Sequence, residues 1–87
     1  MNLEDKIEAI TGQRVKIAEM NNNPSIIVRR RANDYHACFE YRPTQWGCGS
    51  TIESAVADLA RGWPEEFKEP VFAVRYALNV PISAASQ

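Results

Sequence analysis

The chain has 87 residues, which is enough for one domain and too few for a second hydrophobic core. Hydrophobic residues make up 45% and charged residues 24%, values typical of a folded soluble domain, so global disorder is excluded. Ten basic and eleven acidic residues give a formal net charge of −1, which excludes both a wholly basic nucleic-acid binder and a strongly acidic DNA mimic.

The chain order predicts one domain over residues 1–82 and a flexible tail over the small, polar residues 83–87. No apolar run approaches the roughly 18 residues that span a bilayer, and the polar N-terminus does not resemble a signal peptide. We therefore expect a cytoplasmic protein with no membrane association. Cys38 and Cys48 are too few for a disulfide framework and form no CxxC motif, so we expect two reduced thiols and no metal site.

The first predicted element is a short amphipathic helix over residues 3–10. Leu3, Ile7 and Ile10 recur at helical spacing and form one apolar stripe, while acidic residues occupy the opposite side. Gly12 lies just beyond the stripe and is a natural C-terminal stop.

Three strands are predicted next, because the period of the pattern changes from helical to alternating. Residues 14–18 alternate polar and apolar, residues 25–31 are β-branched and then basic, and residues 35–41 alternate again. The turn clusters between them are short, so we expect an antiparallel meander. The glycine-punctuated residues 42–49 are predicted to be an irregular loop.

A second helix follows, and its start has the form of a capping box of Ser50 and Glu53. Gly62 and Pro64 predict its end. Its apolar stripe, which should pack on the sheet and bury a tryptophan, consists of Ile52, Val56, Leu59 and Trp63.

The last stretch allows two interpretations. Residues 72–80 alternate in hydropathy, which favours a strand, whereas Pro70 and the alanines also allow a short helix. The predicted fold class is therefore α+β, a two-layer α-β-β-β-α domain with an antiparallel sheet, plus a C-terminal strand or short helix.

Charge is distributed unevenly along the chain. Residues 11–42 carry six basic and three acidic residues, a net +3, whereas residues 1–10 and 50–87 carry −2 each. The sheet is thus predicted to be basic and the helical layer acidic. The alternative to a binding role is that the charges on an exposed sheet face provide only solubility and protection against edge pairing.

Depending on strand register, either Arg30 or the pair Arg29 and Arg31 faces solvent on the open side of the sheet. Arginine pairs bidentately with carboxylate and phosphate, so this face is the predicted binding surface. The candidate partner-binding residues are Arg14, Lys16, Arg29, Arg30, Arg31, His36 and Trp46. An alternative acidic docking patch comprises Glu65, Glu66 and Glu69.

Enzymatic function is not indicated, and we predict no catalytic residue and no cofactor. The chain has one histidine and contains no nucleophile-elbow, P-loop or zinc-protease motif. A nucleophilic pair of Cys48 and His36 is conceivable, but the sequence offers no specific third group to orient it.

The order helix, three strands, helix resembles that of double-stranded RNA-binding domains. Those domains carry a basic cluster at the start of the second helix, where residues 50–55 of this chain have neither Lys nor Arg, so we expect negligible affinity for duplex RNA. The chain also resembles HicB-type antitoxins, in a strand at 35–39, a Gly-Cys pair at 47–48, a Gly-x-Thr cap at 49–51 and a Glu-x-Ala helix start at 53–55.

A further resemblance spans most of the chain. Small phage-encoded anti-CRISPR proteins share an opening Met-Asn with an amphipathic helix, the Ile26 and Ile27 pair on a strand, and a second helix that ends in Gly-Trp at 62–63 and is followed by Glu66 and Phe67. Those inhibitors are acidic, whereas the sheet of this chain is predicted to be basic. Both resemblances imply a small accessory protein of a phage or mobile element.

The sequence therefore predicts a non-enzymatic interaction protein that binds a host macromolecule, with a protein partner favoured. The anti-CRISPR resemblance implies inhibition of a host defence component. The alternative is a nucleic-acid-binding domain that uses the basic open face of its sheet.

Overall fold

The computed structural model describes residues 2–18, 25–68 and 71–76, which form two helices, a short 3-10 helix and a five-stranded sheet. The helices are α1 (Leu3–Thr11) and α2 (Ile52–Gly62), and the 3-10 helix is Pro64–Lys68. The strands are β1 (Lys16–Ile17), β2 (Ser25–Arg30), β3 (Tyr35–Phe39), β4 (Arg42–Gly49) and β5 (Val71–Tyr76). The predicted α+β class is confirmed. Within these ranges, none of the helices combines the length and apolar character that crossing a membrane requires.

The sheet is mixed, with the strand order β1-β5-β2-β3-β4. β3 pairs antiparallel with β2 and β4, whereas β5 pairs parallel with both β1 and β2. The predicted antiparallel meander of the first three strands is therefore wrong, and the meander consists of β2, β3 and β4. β5 lies between β1 and β2, and its residues Phe72, Ala73 and Val74 are all buried, as expected for an interior strand.

The C-terminal strand is confirmed over β5, and the helical alternative is wrong for these residues. The remainder of the predicted strand, residues 77–80, lies outside the described residues. So do the end of the predicted domain and the predicted tail, residues 83–87.

The stretch predicted as a loop, residues 42–49, forms β4 instead. Its glycines do not make turns. Gly47 faces α2, and a Cβ atom there would lie 2.8 Å from the Cα atom of Leu59 and 2.9 Å from the carbonyl oxygen of Ala55. Gly49 meets the backbone of Ser54 and Ala55 in the same way. The two glycines let the helix pack directly on the strand.

Both helices begin and end close to the predicted residues, except that the N-terminal cap of α2 is shifted by one residue. α1 stops at Gly12, which adopts the left-handed φ of 76° and donates its backbone N–H to the Glu8 carbonyl oxygen. α2 is capped by Thr51 rather than by Ser50: the Thr51 hydroxyl accepts from the Ser54 N–H at 3.0 Å, and the Ser54 hydroxyl accepts from the Thr51 N–H at 2.9 Å. The capping box is thus present, one residue later than predicted and with Ser in place of Glu53.

Both helices pack on one face of the sheet. The fully buried side chains of this core include Leu3, Ile7, Val56, Leu59, Ile26, Val28, Ala37, Phe39, Phe67 and Phe72. Trp63, predicted to be core, is half-buried against its edge. Side chains that alternate with the core residues along β2, β3 and β5 point to the other face of the sheet, which no helix of the described residues covers.

Candidate binding surface

Strand register brings two rows of side chains together on the uncovered face. The first row runs across four strands and contains Arg75, Ile27, Cys38 and Trp46. The second row runs across three strands and contains Arg29, His36 and Cys48. We call these seven residues the open-face patch. Ser25 and Ala73, further along the same face, are buried, so the face does not reach solvent at these two positions.

Two rings form the centre of the exposed part of the patch. The rings of His36 and Trp46 stack with centroids 5.2 Å apart and an interplanar angle of 25°. Trp46 is 47% exposed, as its predicted role requires, although it lies in a strand and not in a loop. The indole therefore presents a flat aromatic surface to solvent on an edge strand.

The surroundings of the His36 imidazole disfavour its protonated form. Burial lowers the pKa of His36 below its usual range, and the positive charges of Arg31 and Arg29 lower it further. Asp34 opposes them weakly. The Nδ1 atom is buried and has no hydrogen-bond partner among the described residues.

Two arginines lie on the same face as the ring pair, both on its β2 side. Arg29 is exposed at the level of His36 on β2, and Arg75 is half-buried on β5 beside Ile27. The Nε of Arg75 donates a long hydrogen bond of 3.5 Å to the Ser25 hydroxyl. Neither guanidinium forms an ion pair with any carboxylate in the described ranges. Among the described residues, no carboxylate therefore neutralises either charge.

The floor of the patch is apolar. Cys38 is only 7% exposed between Ile27 and Trp46, and burial raises the pKa of its thiol. Arg29 partly offsets this rise. Burial thus disfavours the reactive thiolate of Cys38, which packs against its neighbours.

Other predicted binding residues are engaged elsewhere. Arg31 lies one residue beyond β2 and forms a bidentate pair with Asp34, with Nε···Oδ1 and Nη2···Oδ2 distances of 2.7 and 2.6 Å. This pair raises the pKa of Arg31 and lowers the pKa of Asp34. Arg14 is tied to α1 by ion pairs to Asp5 at 3.1 Å and to Glu8 at 2.6 Å, and so belongs to the helical side.

Arg30 and Lys16 are also separate from the patch. Arg30 lies opposite Tyr35, in the register of the core-facing side chains, and so points to the helical side of the sheet. Lys16 is exposed on the open face, but β1 is the far edge strand. Strand spacing and rise place it roughly 20 Å from Arg29. Of the predicted binding residues, the structure thus brings together only Arg29, His36 and Trp46.

The alternative acidic patch lies on the helical layer. Glu65 is exposed and Glu66 is half-buried on the 3-10 helix, whose Phe67 is buried in the core. The Tyr41 hydroxyl donates to the Glu66 carboxylate at 3.4 Å. Glu69 lies outside the described residues.

His36 and Cys48 do lie directly opposite each other in the β3–β4 register. No carboxylate among the described residues hydrogen-bonds the imidazole. Asp58 of α2 instead accepts a hydrogen bond from the backbone N–H of Cys48 at 3.1 Å, and so joins the helix to the edge strand. In the same ranges, no three His, Cys, Asp or Glu side chains come together as metal ligands would.

Arg75 and Ile27 are members of the patch that sequence analysis did not single out. The phase of Arg75 is readable from the alternation of residues 72–80, whereas that of Ile27 is not, because Ile26 and Val28 on either side of it are apolar too. Their proximity is not readable, because it depends on the insertion of β5 beside β2.

Comparisons of the chain with protein-family models, with curated proteins and with solved structures find no match. What the chain does must therefore be inferred from its own residues.

Proposed function

We propose that the protein is a non-enzymatic binding module and that its open-face patch contacts another macromolecule. The observation that supports this proposal best is that a half-exposed tryptophan shares one uncovered face of the sheet with Arg29 and Arg75, neither of which has a carboxylate partner among the described residues. Tryptophan and arginine are the residue types that most often dominate binding energy at interfaces.

A face that served only solubility would not need this composition. Charges alone keep an uncovered sheet face hydrated and unpaired. Trp46 instead leaves a large apolar ring in water, which costs free energy until a partner covers it. The guanidinium groups on the same face can pair bidentately with carboxylate or phosphate once water is displaced.

The biological setting is proposed from the sequence resemblances. HicB-type antitoxins and anti-CRISPR proteins are small cytoplasmic accessory proteins of phages and mobile elements. By that resemblance, a host defence component is the protein partner to test first, and inhibition is the expected effect. A nucleic acid is the second candidate, because the stacked rings of His36 and Trp46 are suited to bases.

Adjacent arginines on opposite faces provide the test. Arg29→Glu reverses a charge in the patch, and Arg30→Glu makes the same change on the helical side. Both side chains are exposed, so both variants should melt close to the parent temperature. We expect affinity capture from a phage host to lose specific partners with Arg29→Glu and to keep them with Arg30→Glu.

The opposite pattern would overturn the proposal. If Arg29→Glu retained every partner while Glu65→Lys combined with Glu66→Lys lost them, the acidic side chains on the 3-10 helix would be the binding surface.

A further inference from the structure

We infer that the open-face patch binds a single-stranded nucleic acid, with an unpaired base stacked on Trp46 and phosphates held by Arg29 and Arg75. This inference rests on the proposed function and names the class of partner. It commits to the second of the two candidates because three features of the patch favour it over a protein surface.

The first feature is the ring pair. His36 already stacks on Trp46, and this contact fixes the orientation of the indole while leaving 47% of the residue exposed. A pre-oriented aromatic ring on a sheet face is the usual platform for bases of single strands, since every base has a π face. Bases inside a duplex are stacked on one another and cannot reach such a ring.

The second feature is the placement of the cations. Arg29 and Arg75 lie on the neighbouring strands β2 and β5, two and three strands away from Trp46 on β4. At about 4.8 Å per strand, they lie roughly 10–14 Å from the indole across the sheet. A run of a few nucleotides that crosses the sheet can therefore place one base over the ring and the phosphates of the next nucleotides over the guanidinium groups.

The third feature is the small amount of apolar surface around the tryptophan. Cys38 is 7% exposed and Ile27 is half-buried, so the ring is the main apolar contact that the patch offers. Protein interfaces of standard size surround their anchors with a larger apolar core. In addition, the Cys48 N–H on the edge strand is already bonded to Asp58, which hinders addition of a peptide strand there.

A binding experiment on the full chain tests the inference. The probes are fluorescein-labelled single-stranded DNA and RNA of about 12 nucleotides in mixed sequence, with the matched duplexes as comparison. In about 50 mM salt we expect micromolar anisotropy titrations for the single strands and at least tenfold weaker ones for the duplexes. With two phosphates engaged, the slope of log affinity against log salt should be about −1.4.

Single substitutions show which side chains contact the nucleic acid. We expect Trp46→Ala to weaken binding about tenfold or more and Trp46→Phe to retain most of it, because only the first removes the stacking surface. Arg29→Glu should weaken binding similarly and reduce the salt slope, whereas Arg30→Glu should leave both close to the parent values. Circular dichroism spectra and melting curves of each variant show that the folded protein is being compared.

Two results would overturn the inference. One is the absence of single-strand binding at about 100 μM folded protein. The other is binding that is equal for duplex and single strand and unaffected by Trp46→Ala, which would be a charge effect only. If either result occurs while Arg29→Glu, but not Arg30→Glu, still abolishes capture of a protein, the proposed function stands and the partner is a protein.

Discussion

Three consecutive arginines in this chain have three different environments. Arg29 lies on the open face without a carboxylate partner in the described ranges, Arg30 lies on the helical side, and Arg31 is neutralised by Asp34. Strand alternation separates the first two, and the end of β2 places the third in a turn. A basic run in a sequence is therefore a poor measure of the charge on one surface.

The state of His36 makes a pH-dependent contribution to stability. Its folded-state pKa is lowered by burial and by Arg31 and Arg29, so the unfolded chain binds its proton more readily. The contribution is complete above the unfolded pKa near 6.5 and is lost as pH falls through the lowered folded-state value.

We therefore expect the melting temperature of the parent protein to fall between pH 7 and pH 5 more steeply than that of His36→Gln. Arg31 lowers the pKa of Asp34, so the stability that Asp34 contributes is lost only below about pH 4. The change between pH 7 and pH 5 therefore reports on the histidine. Melting curves at half-unit pH steps measure both slopes. Parallel slopes for the two proteins would show that His36 titrates alike in the folded and unfolded chain.

The two thiols should react at different rates. Cys48 is half-buried on the edge strand, whereas Cys38 is 7% exposed and its pKa is raised by burial, so little of it is thiolate. Alkylation without reductant should label both cysteines, with Cys38 slower by about tenfold or more because it waits for local opening. Mass spectrometry of timed samples follows the two sites. Equal rates would contradict the buried position of Cys38.

At the scale of elements, α2 depends on one buried stripe. Val56 is fully buried between the helix and the sheet. Val56→Asp should unfold the domain, because an unpaired buried carboxylate costs several kcal/mol, on the order of the whole stability of a small domain, about 5 kcal/mol. Circular dichroism at rising temperature is the measurement. A cooperative transition near the parent melting temperature would show that the stripe is not part of the core.

The contact between α2 and β4 gives a second test at this scale. Gly47→Ala would place a Cβ atom against the backbone of Leu59 and Ala55, which cannot rotate away, so we expect a loss of about 1–3 kcal/mol or more. Gly62→Ala is the matched control, since a Cβ atom at Gly62 meets nothing within 4 Å. Urea denaturation of the two variants provides the comparison. Similar midpoints for both would mean that helix and strand are further apart than described.

These glycines also show where sequence reasoning stops at the element scale. The stripe of α2, the αL glycine after α1 and the alternation of β5 are local patterns, and each predicted its element. Gly47 and Gly49 suggested a loop, because glycine marks turns more often than close packing. A glycine in a turn and a glycine in close packing differ here only in whether α2 packs on it. The contact between β4 and α2 joins residues up to twelve apart in the chain.

At the scale of the whole molecule, the strand order was beyond the reach of local patterns. β1 has two residues, and nothing in them specifies that their partner is β5 rather than β2. The full set of residues in the open-face patch could not be predicted for the same reason. Arg29, His36 and Trp46 were predicted to act together, but Arg75 joins them only because β5 lies between β1 and β2.

The position of β5 between β1 and β2 also bears on how the protein is made. When the ribosome has released the chain only as far as Lys68, β1 has no neighbour in the sheet and β2 has one bare edge. A bare edge beside apolar residues invites pairing with other chains, and closing it requires contacts between distant parts of the sequence, which form slowly. Residues 71–76 thus complete the sheet by inserting between β1 and β2, and the nascent chain is exposed to aggregation until these residues are synthesised.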